Sequence, residues 1–166
     1  MKKYFVCCMI AAMAALLSGC IFSGSPLKFE QFTADLPASA ALTDCRVGAV
    51  SNISGAGRDF LVRENGSMVK VDRTLRWLND PAVMLRTALS VVCSGNKVTL
   101  SAQLVRFEFS AGLKTLEGAV IFTLKKADIQ KTVVCRESIP VVNGDYGRAA
   151  AELFERCIKK VSGVKL

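Results

Sequence analysis

From residue 97 to residue 138, apolar and polar side chains alternate through three successive runs, and that alternation leaves little choice of architecture. Successive side chains of a strand point to opposite faces, so a period of two belongs to strands with one buried and one open face. The first run, 97–109, sets Val98, Leu100, Ala102 and Leu104 on one face, after which the apolar phase moves to Val105, Phe107 and Phe109. A slip of one residue turns every later side chain to the other face. Either a bulge near Leu104 and Val105 absorbs it, or the strand leaves one core to serve another surface. The runs 116–124 and 129–138 follow, joined by Lys125-Lys126-Ala127-Asp128. Three consecutive strands with connections this short predict an antiparallel meander.

Upstream, residues 47–53 are apolar and β-branched enough for a buried strand, and Ser54-Gly55-Ala56-Gly57 reads as a turn. Runs 59–63 and 68–72 flank Glu64-Asn65-Gly66-Ser67, and Asn-Gly predicts a hairpin because both residues tolerate positive φ. Residues 28–33 read as a short strand that would add one more at the start, and 35–43 as a loop. A helix is punctuated by Asp80 as cap, Pro81 at its first position and Gly95 as terminator, with Leu85, Ala88, Leu89 and Val92 as its buried stripe. Trp77, just before the cap, is expected to fold onto that stripe. A second helix starts after Asp145 and buries Ala150, Leu153, Phe154, Cys157, Ile158 and Val161. The order β-β-β-α-β-β-β-α, with room for the extra first strand, is an α+β domain: a largely antiparallel or mixed sheet with two helices on one face.

Not all of the 166 residues belong to that domain. Lys2 and Lys3 precede residues 4–17, which carry no charge and are mostly apolar. The stretch is shorter than the roughly 20 residues of a bilayer-spanning helix but suits the apolar region of an export signal. It ends Leu17-Ser18-Gly19-Cys20, which resembles the lipobox of bacterial lipoproteins. The resemblance implies a signal peptide over 1–19 and a lipidated Cys20. A tether then runs to residue 27, ahead of one periplasmic domain over 28–166. Acyl chains contribute about 0.8 kcal/mol per buried CH₂, so the mature chain would be anchored to a membrane without spanning it. Ile21 rather than Asp after the cysteine resembles the class sorted to the outer membrane.

Without Lys2 and Lys3 the chain keeps 20 basic against 14 acidic residues, a balance of +6. On an exported lipoprotein such a surplus meets anionic head groups or acidic protein surfaces. No basic run is interleaved with aromatics, so nucleic acid is not the expected partner. Cys45, Cys93, Cys135 and Cys157 remain after Cys7 and Cys8 leave with the signal. They permit two disulfides with three connectivities, or four buried thiols. A Cys135–Cys157 bridge would staple a strand to the last helix. The chain has no histidine and no CxxC spacing, and no paired carboxylates or nucleophile motif stand out. Neither a catalytic centre, a metal site nor a cofactor is therefore expected.

Residues 60–90, FLVRENGSMVKVDRTLRWLNDPAVMLRTALS, carry a wider pattern: an arginine closing a strand, a hairpin, Arg-Trp, a proline, and a helix with leucines inward. With the Phe-rich strand ending at Phe109 and the Ala-rich last helix, this resembles the ABC-type transport auxiliary lipoproteins, the PqiC-like family of MCE lipid-transport systems. The matching residues are Arg63, Arg76, Trp77, Pro81, Leu85 and Leu89. The resemblance implies partners, namely an MCE-domain protein and the permease and ATPase of an ABC transporter, with homo-oligomers also open to such a subunit. Arg63, Arg76 and Trp77 either pack as an aromatic under arginine stems or border a docking surface. Two other functions fit the same residues. One is a lipid carrier whose cavity Phe107, Phe109 and Phe122 would line; the other is a structural envelope lipoprotein.

Overall fold

The computed structural model describes residues 30–34, 42–64, 66 and 68–164. Its elements are β1 (Glu30–Phe32), β2 (Leu42–Asn52), β3 (Asp59–Arg63), β4 (Val69–Trp77), α1 (Pro81–Val92), β5 (Cys93–Ser110), β6 (Thr115–Lys126), β7 (Ile129–Pro140) and α2 (Tyr146–Ser162). One sheet of seven strands takes them all, with both helices over one face, α1 on β2 and β5 and α2 on β6 and β7. This is the expected α+β fold with its extra first strand.

β5 is the spine. β6 runs antiparallel along one side of it, and β7 antiparallel to β6 completes the meander. The other side of β5 is shared: β2 lies parallel to its first half, and β3 is parallel to its last two residues. β4 pairs antiparallel with β3, and β1 parallel with β4. The phase slip is a bulge, because Leu104 faces Val120 while Arg106 faces Ala119, leaving Val105 over. The extra residue restores the face, so Phe107 is buried with Leu100, Ala102 and Leu104, and Phe109 packs against the same core. Among the described residues a second core is not built.

Four expectations change. β2 is half-exposed: Val47 and Val50 pack on the core while Arg46, Ala49 and Ser51 are exposed, and nothing beyond β5 pairs with the strand among the described residues, so its outer edge stays open. It also begins at Leu42, which brings two residues of the expected 35–43 loop into the sheet, while 35–41 lie outside the described residues. The segment Ser54 to Gly57 does not reverse the chain, since β2 and β3 both run parallel to β5; it is a step along one edge, held where Asn52 accepts from the Ser54 amide at 3.0 Å. Gly95 does not end α1. The helix passes straight into β5 at Cys93, and Gly95 stands within the strand at φ +126°, where a Cβ would come 2.6 Å from the backbone of Asp44.

The remaining signals hold locally. β3 and β4 form the hairpin, with Arg63 opposite Val69; Asn65 and Ser67 of its turn lie outside the described residues. Asp80 accepts from the Ala82 amide at 2.7 Å, and Asp145 from that of Arg148 at 2.9 Å, each satisfying an orphan donor at a helix start. Gly118 on β6 lets α2 approach, because a Cβ there would lie 2.6 Å from Leu153. Under the helices Trp77 stacks on Phe60 at 5.3 Å and touches Phe107 at 5.0 Å, and Phe107 stacks on Phe154 at 5.5 Å.

Two disulfides staple the layers together. Cys45–Cys93 joins the start of β2 to the α1–β5 junction, and Cys135–Cys157 joins β7 to α2, with Cα atoms 5.3 and 5.5 Å apart. Their sequence separations are 48 and 22 residues, for which loop-closure entropy gives about 4 and about 3 kcal/mol of stabilisation. Replacing either pair with alanines should therefore lower the unfolding free energy by about 3–4 kcal/mol in urea titrations. Unchanged midpoints would show that the bridges do not restrain the unfolded chain.

Candidate functional surface

Strand alternation places a second set of side chains on the sheet face away from the helices. Toward one end of this face the last residue of β3, Arg63, meets Glu108 of β5: Arg63 Nε donates to Oε1 at 2.7 Å and Nη2 to Oε2 at 3.0 Å. Arg63 Nη1 also donates to the Gly66 carbonyl at 2.9 Å, tying the hairpin turn to the pair. Arg106, displaced onto this face by the bulge, donates to Glu108 from one side and to Glu117 of β6 from the other. Glu108 is only 5% exposed. Burial pushes its carboxyl up, but the hydrogen bonds and charges of Arg63 and Arg106 outweigh that and hold it below the ordinary carboxylate range. The Arg63 guanidinium is raised in turn, first by its hydrogen bond to Glu108.

Two arginines and two glutamates make a neutral group in which both Glu108 oxygens are engaged. The geometry suits bracing the sheet rather than moving a proton. Beside it Ala49, Ser51, Ser101, Gln103, Ile121 and Thr123 line a shallow depression of about 210 Å³. Val134 of β7, opposite Ile121, is exposed on the same face. A larger groove of about 620 Å³ runs along α2, but charged residues such as Arg148, Glu152, Glu155, Arg156 and Lys159 line it. Arg156 pairs with Glu152 at 2.6 Å and Lys159 with Glu155 at 2.7 Å. Such a groove offers nothing to an acyl chain.

The residues singled out in the sequence separate in space. Arg63 belongs to the ion-pair group, and Arg76 lies on the same face, where Nη2 meets Asp59 Oδ1 at 3.3 Å. Trp77 follows Arg76 in β4 and so points to the opposite face. At 1% exposure it is an aromatic of the core and has no surface to offer a partner. Phe107 and Phe122 are likewise buried among core side chains, and Phe109 packs against them. These rings fill the space that an acyl-chain cavity would need. The four cysteines form the two bridges already described, and Cys20 with its tether lies outside the described residues. Among the described residues no group of three or more metal-ligating acids and cysteines comes together. The sequence reading missed Arg106, Glu108 and Glu117. Alternation with Phe107 and Phe109 did indicate their face, but their mutual contact depends on the β5–β6 register.

No family model matches the sequence, and no curated protein matches it. Solved structures share the fold. One, described only as an uncharacterized protein, superposes with a TM-score of 0.62 at 11% identity, covering 80% of this chain and 94% of its own. Another, the DUF330 protein XCC0632 from Xanthomonas campestris, gives 0.53 at 16% identity over 81% of this chain and 90% of its own. At these identities the likeness concerns the fold.

The ion-pair group makes stability depend on pH in a definite direction. Because the folded-state carboxyl of Glu108 lies below its ordinary value of 4.5, its contribution is complete above about pH 4.5 and fades as pH falls through the folded value. Glu108→Gln should cost about 2 kcal/mol at pH 7, less than the ~3–5 of a fully buried pair because water still screens the arginines. It should also flatten the loss of stability below pH 4.5 relative to the parent. Denaturation midpoints measured from pH 3 to 7 would show parallel curves if Glu108 were not held by this network.

Proposed function

We propose that this chain is a lipid-anchored accessory subunit of an MCE-type ABC transporter, facing the periplasm from the outer membrane and docking the end of a lipid conduit there. The observation that carries the reading is the division of the sheet. One face is filled by helices and aromatic rings, whereas the other stays open, lightly apolar and braced by the Arg63–Glu108–Arg106–Glu117 group. A carrier needs a cavity, and here the rings packed under the helices take up the volume. An adaptor needs a stiff, accessible surface. Partly exposed Ile121 and exposed Val134 supply apolar contact there, and Arg136 alternates onto the same face from β7. The lipobox-like end of residues 1–20 and the resemblance over 60–90 supply the membrane and the partner class.

The test is to isolate the full chain from envelopes with its associated proteins. An MCE protein should co-purify, and Val134→Arg, at a half-exposed position, should reduce its recovery at least tenfold without moving the unfolding midpoint. Native mass spectrometry showing one phospholipid held per domain, with no MCE protein recovered, would favour a carrier and remove the adaptor reading.

A further inference from the structure

A row of paired residues crosses five strands at one end of the sheet: Val69 of β4 faces Arg63 of β3, which faces Ser110 of β5, then Thr115 of β6 and Pro140 of β7. Four strand spacings make this row roughly 19 Å wide. Just beyond it three separate connections each present one exposed apolar side chain. Met68 lies before β4 (58% exposed), Leu113 between β5 and β6 (69%), and Val142 after β7 (62%). The connections are tied to one another, since the Ala111 amide donates to the Arg63 carbonyl at 2.9 Å and the Val141 amide to the Lys114 carbonyl at 2.9 Å. They form a rim of three apolar tips with Lys114 among them.

The start of β1 points to the same end. β4 runs away from the row and β1 is parallel to it, with Glu30 facing Leu75, so the first residue of β1 is the one nearest the rim. Asp59, opposite Arg76 at about that level, precedes Arg63 by four residues, which places Glu30 roughly 13 Å below the row. Ten residues separate Cys20 from Glu30, with an rms reach of about 17 Å and a limit near 33 Å. Glu30 thus stands roughly 13 Å from the row and roughly 23 Å along the strands from the β6–β7 turn, so an anchor on Cys20 with an rms reach of about 17 Å favours this end at the bilayer.

We infer that Met68, Leu113 and Val142 form a second membrane contact, inserting between lipid head groups so that the sheet stands on the bilayer and its β6–β7 end points away. The inference rests on the anchored reading proposed above. Lipid is the occupant that fits, because tips on three loops, one beside a lysine, enter a headgroup layer without the continuous flat patch that a protein partner would require.

The test uses the full chain, isolated from envelopes and reconstituted in vesicles of phosphatidylethanolamine and phosphatidylglycerol with brominated acyl chains. Trp77 is the only native tryptophan and is buried, so Met68→Trp, Leu113→Trp and Val142→Trp each add one exposed reporter. Bromine should quench each of them at least threefold more than Ile129→Trp at the far end or the parent chain. Weak quenching at the rim, or stronger quenching at Ile129→Trp, overturns the inference, as does a rim shielded only when a protein partner is bound. The mass of the N-terminal peptide separates the two ideas. Acylated Cys20 with an unquenched rim leaves the anchor standing and removes the contact, whereas unmodified Cys20 with an unquenched rim removes both.

Discussion

The bulge at Val105 lets a single long strand serve as the axis of the whole domain. β5 must face one core throughout, although its apolar phase slips between Leu104 and Phe107. Without the extra residue Phe107 and Phe109 would turn to the open face, and Glu108 would enter the core among aromatic rings. An unpaired carboxylate in that position is far more costly than a local break in the ladder. With the bulge in place the rings join Trp77 and Phe154 under the helices, and Arg106 swings beside Glu108. The aromatic core and the ion-pair group are thus two consequences of one backbone irregularity.

The same strand sets how the two halves of the domain meet. Its first half carries β2, and its end carries the β3–β4 hairpin, so the step at Ser54 to Gly57 moves the chain along one edge without reversing it. The step frees the hairpin to extend past β2 and to join the five-strand row at the rim. Cys45–Cys93 closes the other end of that edge, and Cys135–Cys157 ties the far side of the sheet to α2. The helix side of the sheet is buried and covalently braced, and the opposite face is tied together by charge pairing. Hydrogen bonds from Thr74 to Asp72, which hold that carboxyl low, secure the irregular stretch of β4 that brings Arg76 opposite Asp59.

In the proposed reading function follows from which surfaces are left over: the aromatic residues are taken up by the core, which leaves the open face and the rim for docking. In the proposed arrangement the acyl anchor and the rim would hold one end at the bilayer, while the braced face stands roughly perpendicular to it. A conduit could then be received along the sheet rather than through the domain.

Local physics made much of this readable in one dimension. Period-two alternation identified the meander, the Asn-Gly pair the hairpin, and Asp80, Pro81 and Asp145 the helix starts, because each depends on the geometry of a few adjacent residues. The bulge was visible as one of two alternatives. Other features depended on contacts between distant segments. Gly95 looked like a helix terminator, but the backbone of Asp44 lies against it, and Trp77 read as either a packed aromatic or the border of a docking surface, of which its packing against Phe60 and Phe107 leaves the first. The Arg63–Glu108 pair joins residues 45 apart in the chain. Neighbouring residues determined which face of each strand is apolar, since side-chain direction alternates along the backbone. Only the register between strands decided which charges meet, and that register together with the seating of the helices on the sheet decided which cysteines bond, because those distances are set by the packing of the whole domain.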